Sequence, residues 1–144
     1  MATSYEVIYG FALSRFSDYD FLNYEDETRE DILFGYMKSA QSDFLNICEY
    51  DLSDYDDAAG QYNVTLDDEC IEILSLGVAY YWCSAKVMNS ELFRNVLNTK
   101  DYSFFSPSTL LTSLQSLRSS LQKEYKARII EYSYIHGDIA GLKV

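Results

Sequence analysis

The chain has 144 residues, 48% of them hydrophobic and 24% charged, with a net charge of −12. That is the size of one domain, with an ordinary soluble globular composition and not that of a disordered chain. Residues 1–76 carry 18 acids and 3 bases and residues 77–144 carry 5 acids and 8 bases, so the first half cannot hold nucleic acid through its phosphates. A single proline favours long helices over turn-rich β structure. Fourteen tyrosines exceed the needs of a core this size and suit surfaces that become buried against a partner.

In chain order the spacing predicts four helices and one irregular acidic segment. The first helix is expected over residues 5–16, with Ile8, Phe11, Ala12 and Phe16 on one side. Residues 18–23 break it, and Asn23 or Asp26 can cap the next. The second helix is expected over residues 25–46, burying Leu33, Tyr36, Met37, Ala40 and Phe44, with acids crowded into its first turns where the helix dipole favours them. Periodicity is lost from residue 47 to 63, where Asp51, Asp54, Asp56, Asp57 and Gly60 predict a solvated loop. A third helix is expected over residues 65–98, capped by Thr65 with Asp68, apolar nearly all round between Cys70 and Met88, and open to a bend at Asn89-Ser90. A helix of that kind sits at the centre of a bundle. After an aromatic loop, Ser106 and Pro107 start a last helix whose stripe is Leu110, Leu114, Leu117, Leu121, Tyr125, Ile129 and Tyr132, with Gly137 as its stop. The fold class is therefore all-α: a small bundle of about four helices with a long central apolar helix and a long C-terminal amphipathic one. Residues 1–138 form one domain and residues 139–144 a short tail.

Catalytic constellations are scarce. His136, at the end of the last helix, is the only histidine, so serine triads and Cys–His pairs lack a base to spare. Neither a G-x-x-x-x-G-K-[ST] nor a G-x-G-x-x-G run is present, which removes the usual phosphate cradles. The acidic run 51–60 fails the calcium-loop template: counted from Asp54, the sixth position is Ala59 and the twelfth Thr65. No catalytic residue, cofactor or metal is assigned. Cys48, Cys70 and Cys83 make no C-x-x-C pair, and the last two sit among apolar neighbours as small buried hydrophobes. The first residues lack a basic region and a long apolar run, so a reducing, cytosol-like compartment is expected. No window reaches the roughly 20 apolar residues of a membrane span.

Several stretches resemble the head–tail connector (adaptor or head-completion) proteins of tailed bacteriophages. They are Asp18-Tyr19-Asp20-Phe21-Leu22, residues 35–40, Asp51-Leu52-Ser53, residues 100–106 and residues 117–134. The loop and helix from Lys100 to Tyr134 carry most of the likeness. The last helix bears Ser113, Ser116, Ser119 and Ser120 where family members often have bases, which argues against a DNA-gripping role for it. The resemblance implies a structural virion protein of the neck, assembled in the host cytoplasm. Its copies form a ring of about 12 under the portal by one repeated head-to-tail contact. Such a ring extends the DNA channel, lets DNA pass without specific binding, and offers a surface to a tail-completion or stopper protein. In that setting Ile139, Leu142 and Val144 are candidate portal contacts. Tyr102, Phe104, Phe105, Tyr125 and Tyr132 are candidate inter-subunit contacts. Glu25, Asp26, Glu27, Asp54, Asp56 and Asp57 are candidate channel-facing acids, since like charge repels phosphate. The alternative is an acidic mimic of DNA, or another inhibitor, that binds a host nucleic-acid enzyme.

Overall fold

The computed structural model describes residues 2–15, 26–96 and 107–136, and for residues 26, 27, 89–96, 107–111 and 136 it describes the backbone. The element order is β1 (Thr3–Ser4), α1 (Tyr5–Leu13), α2 (Asp26–Phe44), β2 (Tyr55–Asp56), β3 (Gln61–Tyr62), α3 (Asp68–Val96) and α4 (Pro107–His136). This is the expected mostly helical bundle, with one small three-stranded sheet in addition.

α3 is the axis. Its 29 residues span roughly 44 Å at 1.5 Å per residue, and it packs against α1, α2 and α4. Cys70, Ile73, Leu74, Ser75, Leu76, Val78, Ala79, Trp82, Cys83 and Val87 are all buried, so most of the apolar run is covered, with Tyr80 and Tyr81 half-buried and Met88 at its end exposed. Ser75, the polar residue in that run, donates its hydroxyl to the carbonyls of Ile71 (2.7 Å) and of Ile8 on α1 (3.3 Å). The start of α3 differs from expectation. Asp67, not Thr65, is the cap: its carboxylate accepts from the Cys70 N–H at 2.9 Å, the bond an N-cap acid makes. The helix runs unbroken through Asn89-Ser90.

The second stripe reads true: Leu33, Met37, Ala40 and Phe44 are buried and Tyr36 is half-buried. On α4, Leu121, Tyr125, Ile129 and Tyr132 are buried while Leu117 is 38% exposed, because it lies at the rim of the stripe when residues are set 100° apart. α1 is shorter than expected, ending at Leu13 with Ser14 as its cap. Its buried face is Tyr5, Ile8, Tyr9 and Ala12, and Phe11, expected inside, is 54% exposed because it stands roughly a third of a turn away from that face. Phe16, the break at residues 18–23, the end of the third helix at residue 98, and Gly137 lie outside the described residues.

The segment 47–63 is largely exposed, as its acids suggest, but it carries two short strands and is not an irregular loop throughout. β2 and β3 form a hairpin, and β1 pairs antiparallel on the far side of β3, with Thr3 opposite Tyr62 and Ser4 opposite Gln61. The hairpin turn closes through the Gly60 N–H on the Asp57 carbonyl (3.2 Å) with Gly60 at φ 68°, a left-handed conformation that glycine adopts without strain. The acids shape this segment. Asp51 accepts from the Ser53 N–H, Asp54 from the Asn63 amide (2.9 Å) and Asp56 from the Ala59 N–H (3.1 Å). Strands of two residues are too short to show an alternating pattern.

Where α2, α3 and α4 converge, Gly77 removes a side chain. A Cβ there would stand 2.4 Å from the Ala40 Cβ and 3.0 Å from the Tyr125 ring, whereas at Gly35 it would meet nothing within 4 Å. The two glycines therefore predict opposite signs. Gly77→Ala should destabilise by about 2 kcal/mol through overpacking, despite alanine's better helix propensity. Gly35→Ala should stabilise by about 0.5–1 kcal/mol. Urea denaturation of the two variants beside the parent protein checks both.

Candidate functional site

Acids far apart in sequence meet in one place. A cleft of about 320 Å³ opens between the start of α1, α2 and the hairpin turn, lined by Tyr5, Tyr9 and Phe34, by the carboxylates of Glu6, Glu30, Asp31 and Asp57, and by the turn backbone at Ala58–Gly60. α1 reaches it because its start is tied to the sheet. Thr3 donates its hydroxyl to the Val64 carbonyl and accepts from the Leu66 N–H, both at 2.9 Å, and the Tyr5 N–H bonds the Gly60 carbonyl at 2.9 Å.

Lys38, rising from α2, is enclosed by aromatic rings beside this cleft. Its ammonium lies 3.4 Å from the Tyr55 ring centroid and 5.3–5.9 Å from those of Phe34, Tyr5 and Tyr62, within the range of cation–π attraction. It pairs with the Asp57 carboxylate at 3.0 Å and donates to Gln41 Oε1 at 3.2 Å. Tyr5 completes the network by donating to Asp57 at 2.7 Å, and Tyr62 donates to Gln41 at 2.8 Å. Burial, reinforced by the Asp57 hydrogen bond, pushes the Tyr5 phenol far above its ordinary value. Burial and then the charges of Glu30, Asp57 and Asp31 raise Tyr9 likewise. Burial works against the charge on Asp57, but the Tyr5 hydroxyl and the Lys38 ammonium outweigh it and hold the carboxyl below the usual carboxylate range. The Tyr5 and Tyr9 phenols stay protonated and the Asp57 carboxylate ionised at neutral pH, and four acidic residues around one cleft attract cations and repel phosphate.

A second polar cluster joins three helices. Arg15, after α1, reaches Glu72 of α3 (3.3 Å) and Glu124 of α4 (4.0 Å), and Arg128 of α4 also holds Glu72 (3.1 Å). Beside it a cleft of about 310 Å³ is lined by Phe11, Arg15, Asp68, Ile71 and Glu72.

The sequence candidates fare unequally. Asp54, Asp56 and Asp57 are exposed on the hairpin, with Asp57 in the acidic cleft. Tyr125 and Tyr132 are corrected: at 3% and 0% exposure they pack inside the chain and are not available to a neighbouring subunit. Tyr125 donates to Asp43 at 3.0 Å and Tyr81 donates to the same carboxylate, so one α2 side chain binds hydroxyls from α3 and α4. Tyr132 packs edge-on against Phe44 at 4.9 Å. A stripe of tyrosines at helical spacing is thus core here, each hydroxyl meeting a polar partner. Glu25, Tyr102, Phe104, Phe105, Ile139, Leu142 and Val144 lie outside the described residues, as do the side chains of Asp26, Glu27 and His136. Among the described residues no group of three or more His, Cys, Asp or Glu could hold a metal ion, and no helix is long and apolar enough to cross a membrane. Sequence reasoning missed Lys38. Its signal was the only lysine in residues 1–76, four residues after Phe34.

Comparison with protein-family models, curated proteins and solved structures returns no match.

The Asp57 network predicts a pH-dependent variant. A carboxyl depressed in the folded state stabilises above its unfolded value near pH 4 and ceases to do so as pH falls through its folded value. Asp57→Asn should therefore cost about 1 kcal/mol at pH 7, kept small because the side chain is 44% exposed and water screens the pair. The difference from the parent should shrink steadily below about pH 4. Thermal melts across pH 2.5–7 measure it.

Proposed function

We propose that this chain is a structural neck protein of a tailed phage, assembling as a ring beneath the portal, extending the DNA channel and joining head to tail. The observation that carries the reading is the segregation of charge in the folded chain. Glu6, Glu30, Asp31 and Asp57 meet in one cleft lined from α1, α2 and the hairpin turn, while on α4 the bases Arg118, Lys123 and Lys126 stand exposed and outnumber the exposed acids Glu124 and Glu131. An acidic cleft and a mildly basic helix suit a heterologous contact repeated until it closes. The exposed apolar residues Ile130, Tyr134 and Ile135 near the end of α4 supply the uncharged part that such a contact needs. The acids of the α2 start and the hairpin give a passing duplex nothing to adhere to. With Tyr125 and Tyr132 committed to the core, the lateral contact falls to exposed residues of α4 and to Tyr102, Phe104 and Phe105.

An affinity pull-down of the tagged chain late in infection, read by mass spectrometry, tests the reading. Portal and tail-completion proteins are expected as the dominant partners. A host nuclease or other DNA enzyme in their place, with no portal, would overturn it and make the acidic cleft a decoy for DNA. Reversing charge at two exposed positions, Lys123→Glu with Lys126→Glu, should change monomer stability by less than about 0.5 kcal/mol yet sharply reduce incorporation into particles, measured by immunoblot of purified virions.

A further inference from the structure

Two thiols that the sequence keeps apart meet in the fold. The Cys48 and Cys70 sulfurs are 3.8 Å apart although the residues are 22 positions apart. Cys48 follows α2, its N–H bonded to the Phe44 carbonyl at 2.9 Å, and its side chain is half-buried. Cys70 is fully buried in the first turn of α3. The Tyr132 hydroxyl sits 3.6 Å from the Cys70 sulfur and accepts from the Glu49 N–H at 3.1 Å, so α4 closes over the pair.

From this geometry we propose that Cys48 and Cys70 are a dithiol site, oxidised reversibly to an intramolecular disulfide by small disulfides of the glutathione class. The roles are unequal. Cys48 is the thiol an oxidant can reach. The Cys70 S–H bond to its sulfur favours its ionised form against the opposing effect of burial, with further help from the Tyr50 N–H and the Tyr132 hydroxyl. Cys70 keeps its proton, held on by its bond to Cys48 and by burial. The thiolate is the nucleophile in exchange.

The Cys48 thiolate attacks one sulfur of the small disulfide. A bond forms to Cys48, the small S–S bond breaks, and the first small thiolate leaves and takes a proton from water. The Cys70 sulfur then attacks the Cys48 sulfur and surrenders its proton as the second small thiol departs. Two protein thiols have lost two electrons and one small disulfide has become two thiols. The sulfurs must close from 3.8 Å to about 2.05 Å, a shift asked of the short turn after α2 and not of a helix axis. The bond would tie the end of α2 to the start of α3 around the hairpin. Cys83 is the internal control: it is buried, and its thiol donates to the Leu114 carbonyl at 3.4 Å.

The test does not depend on what the chain assembles with. The native full-length protein is incubated with oxidised glutathione, free thiols are alkylated under denaturing conditions, and intact mass and a peptide map are recorded. The expected product is a monomer lighter by two hydrogens, with one alkylated cysteine, Cys83, and a peptide linking Cys48 to Cys70. It should melt about 10 °C above the reduced protein, as a loop of this length implies, and dithiothreitol should restore the original melt. Cys70→Ala should stop at one glutathione on Cys48, and Cys48→Ser should leave Cys70 unmodified. A wild-type protein that retains glutathione on Cys48, or that links two chains, overturns the proposal. So does a cross-linked monomer that melts at or below the reduced form.

Discussion

One constraint governs this molecule: α3 is apolar nearly all round between Cys70 and Val87 and must be covered over most of its surface. A single helix cannot leave such a surface to water, at roughly 25 cal/mol for each Å² of apolar area exposed, and three other helices are recruited to it. α1 is the shortest of them, with nine residues, and is marginal on its own. It holds its place because β1 anchors its start and Ser75 accepts α1 into the core by bonding the Ile8 carbonyl. The closest approach falls at Gly77, where Ala40 and Tyr125 take up the space of a missing side chain.

Polar chemistry inside the bundle follows from the choice of tyrosine as its filler. Tyr5, Tyr62, Tyr125 and Tyr132 are each nearly or fully buried, and a buried hydroxyl needs a partner. Asp57, Gln41, Asp43 and the Glu49 N–H supply those partners. Each bond joins elements that are distant in sequence, so the phenols fix which helix faces which as well as filling volume. Asp43 and Asp57 themselves stay exposed, so the buried phenols reach their hydroxyls out to surface carboxylates.

The helices were legible because 3.6-residue periodicity is a local signal. Leu33, Met37, Ala40 and Phe44 on α2 could be named as core from spacing alone, and Leu121, Tyr125, Ile129 and Tyr132 on α4 as one apolar stripe. What spacing could not give was the destination of polar tips. Tyr125 and Tyr132 read equally well as surface anchors for a partner, and only the positions of Asp43, Phe44 and Cys70 decide that they face inward. The sheet was invisible because its strands have two residues each. The acidic cleft, the ring-bound Lys38 and the Cys48–Cys70 pair were invisible for another reason: each is assembled from segments separated by about 20 residues or more. Composition announced excess acid and excess tyrosine, and the fold determined where both converge.

The tie between Thr3 and residues 64–66 has a consequence for the order in which the chain can acquire structure. Both bonds span more than 60 residues, as does the bond between Ser75 and Ile8. During synthesis the first helix leaves the ribosome with none of its partners yet made, and its docking waits until the start of α3 has followed. Contacts of such separation slow folding relative to a bundle wired only between neighbours. The amino-terminal segment is therefore a late guest in its own fold, and on a nascent chain Ile8, Tyr9 and Ala12 are an uncovered apolar face for as long as translation takes to supply α3.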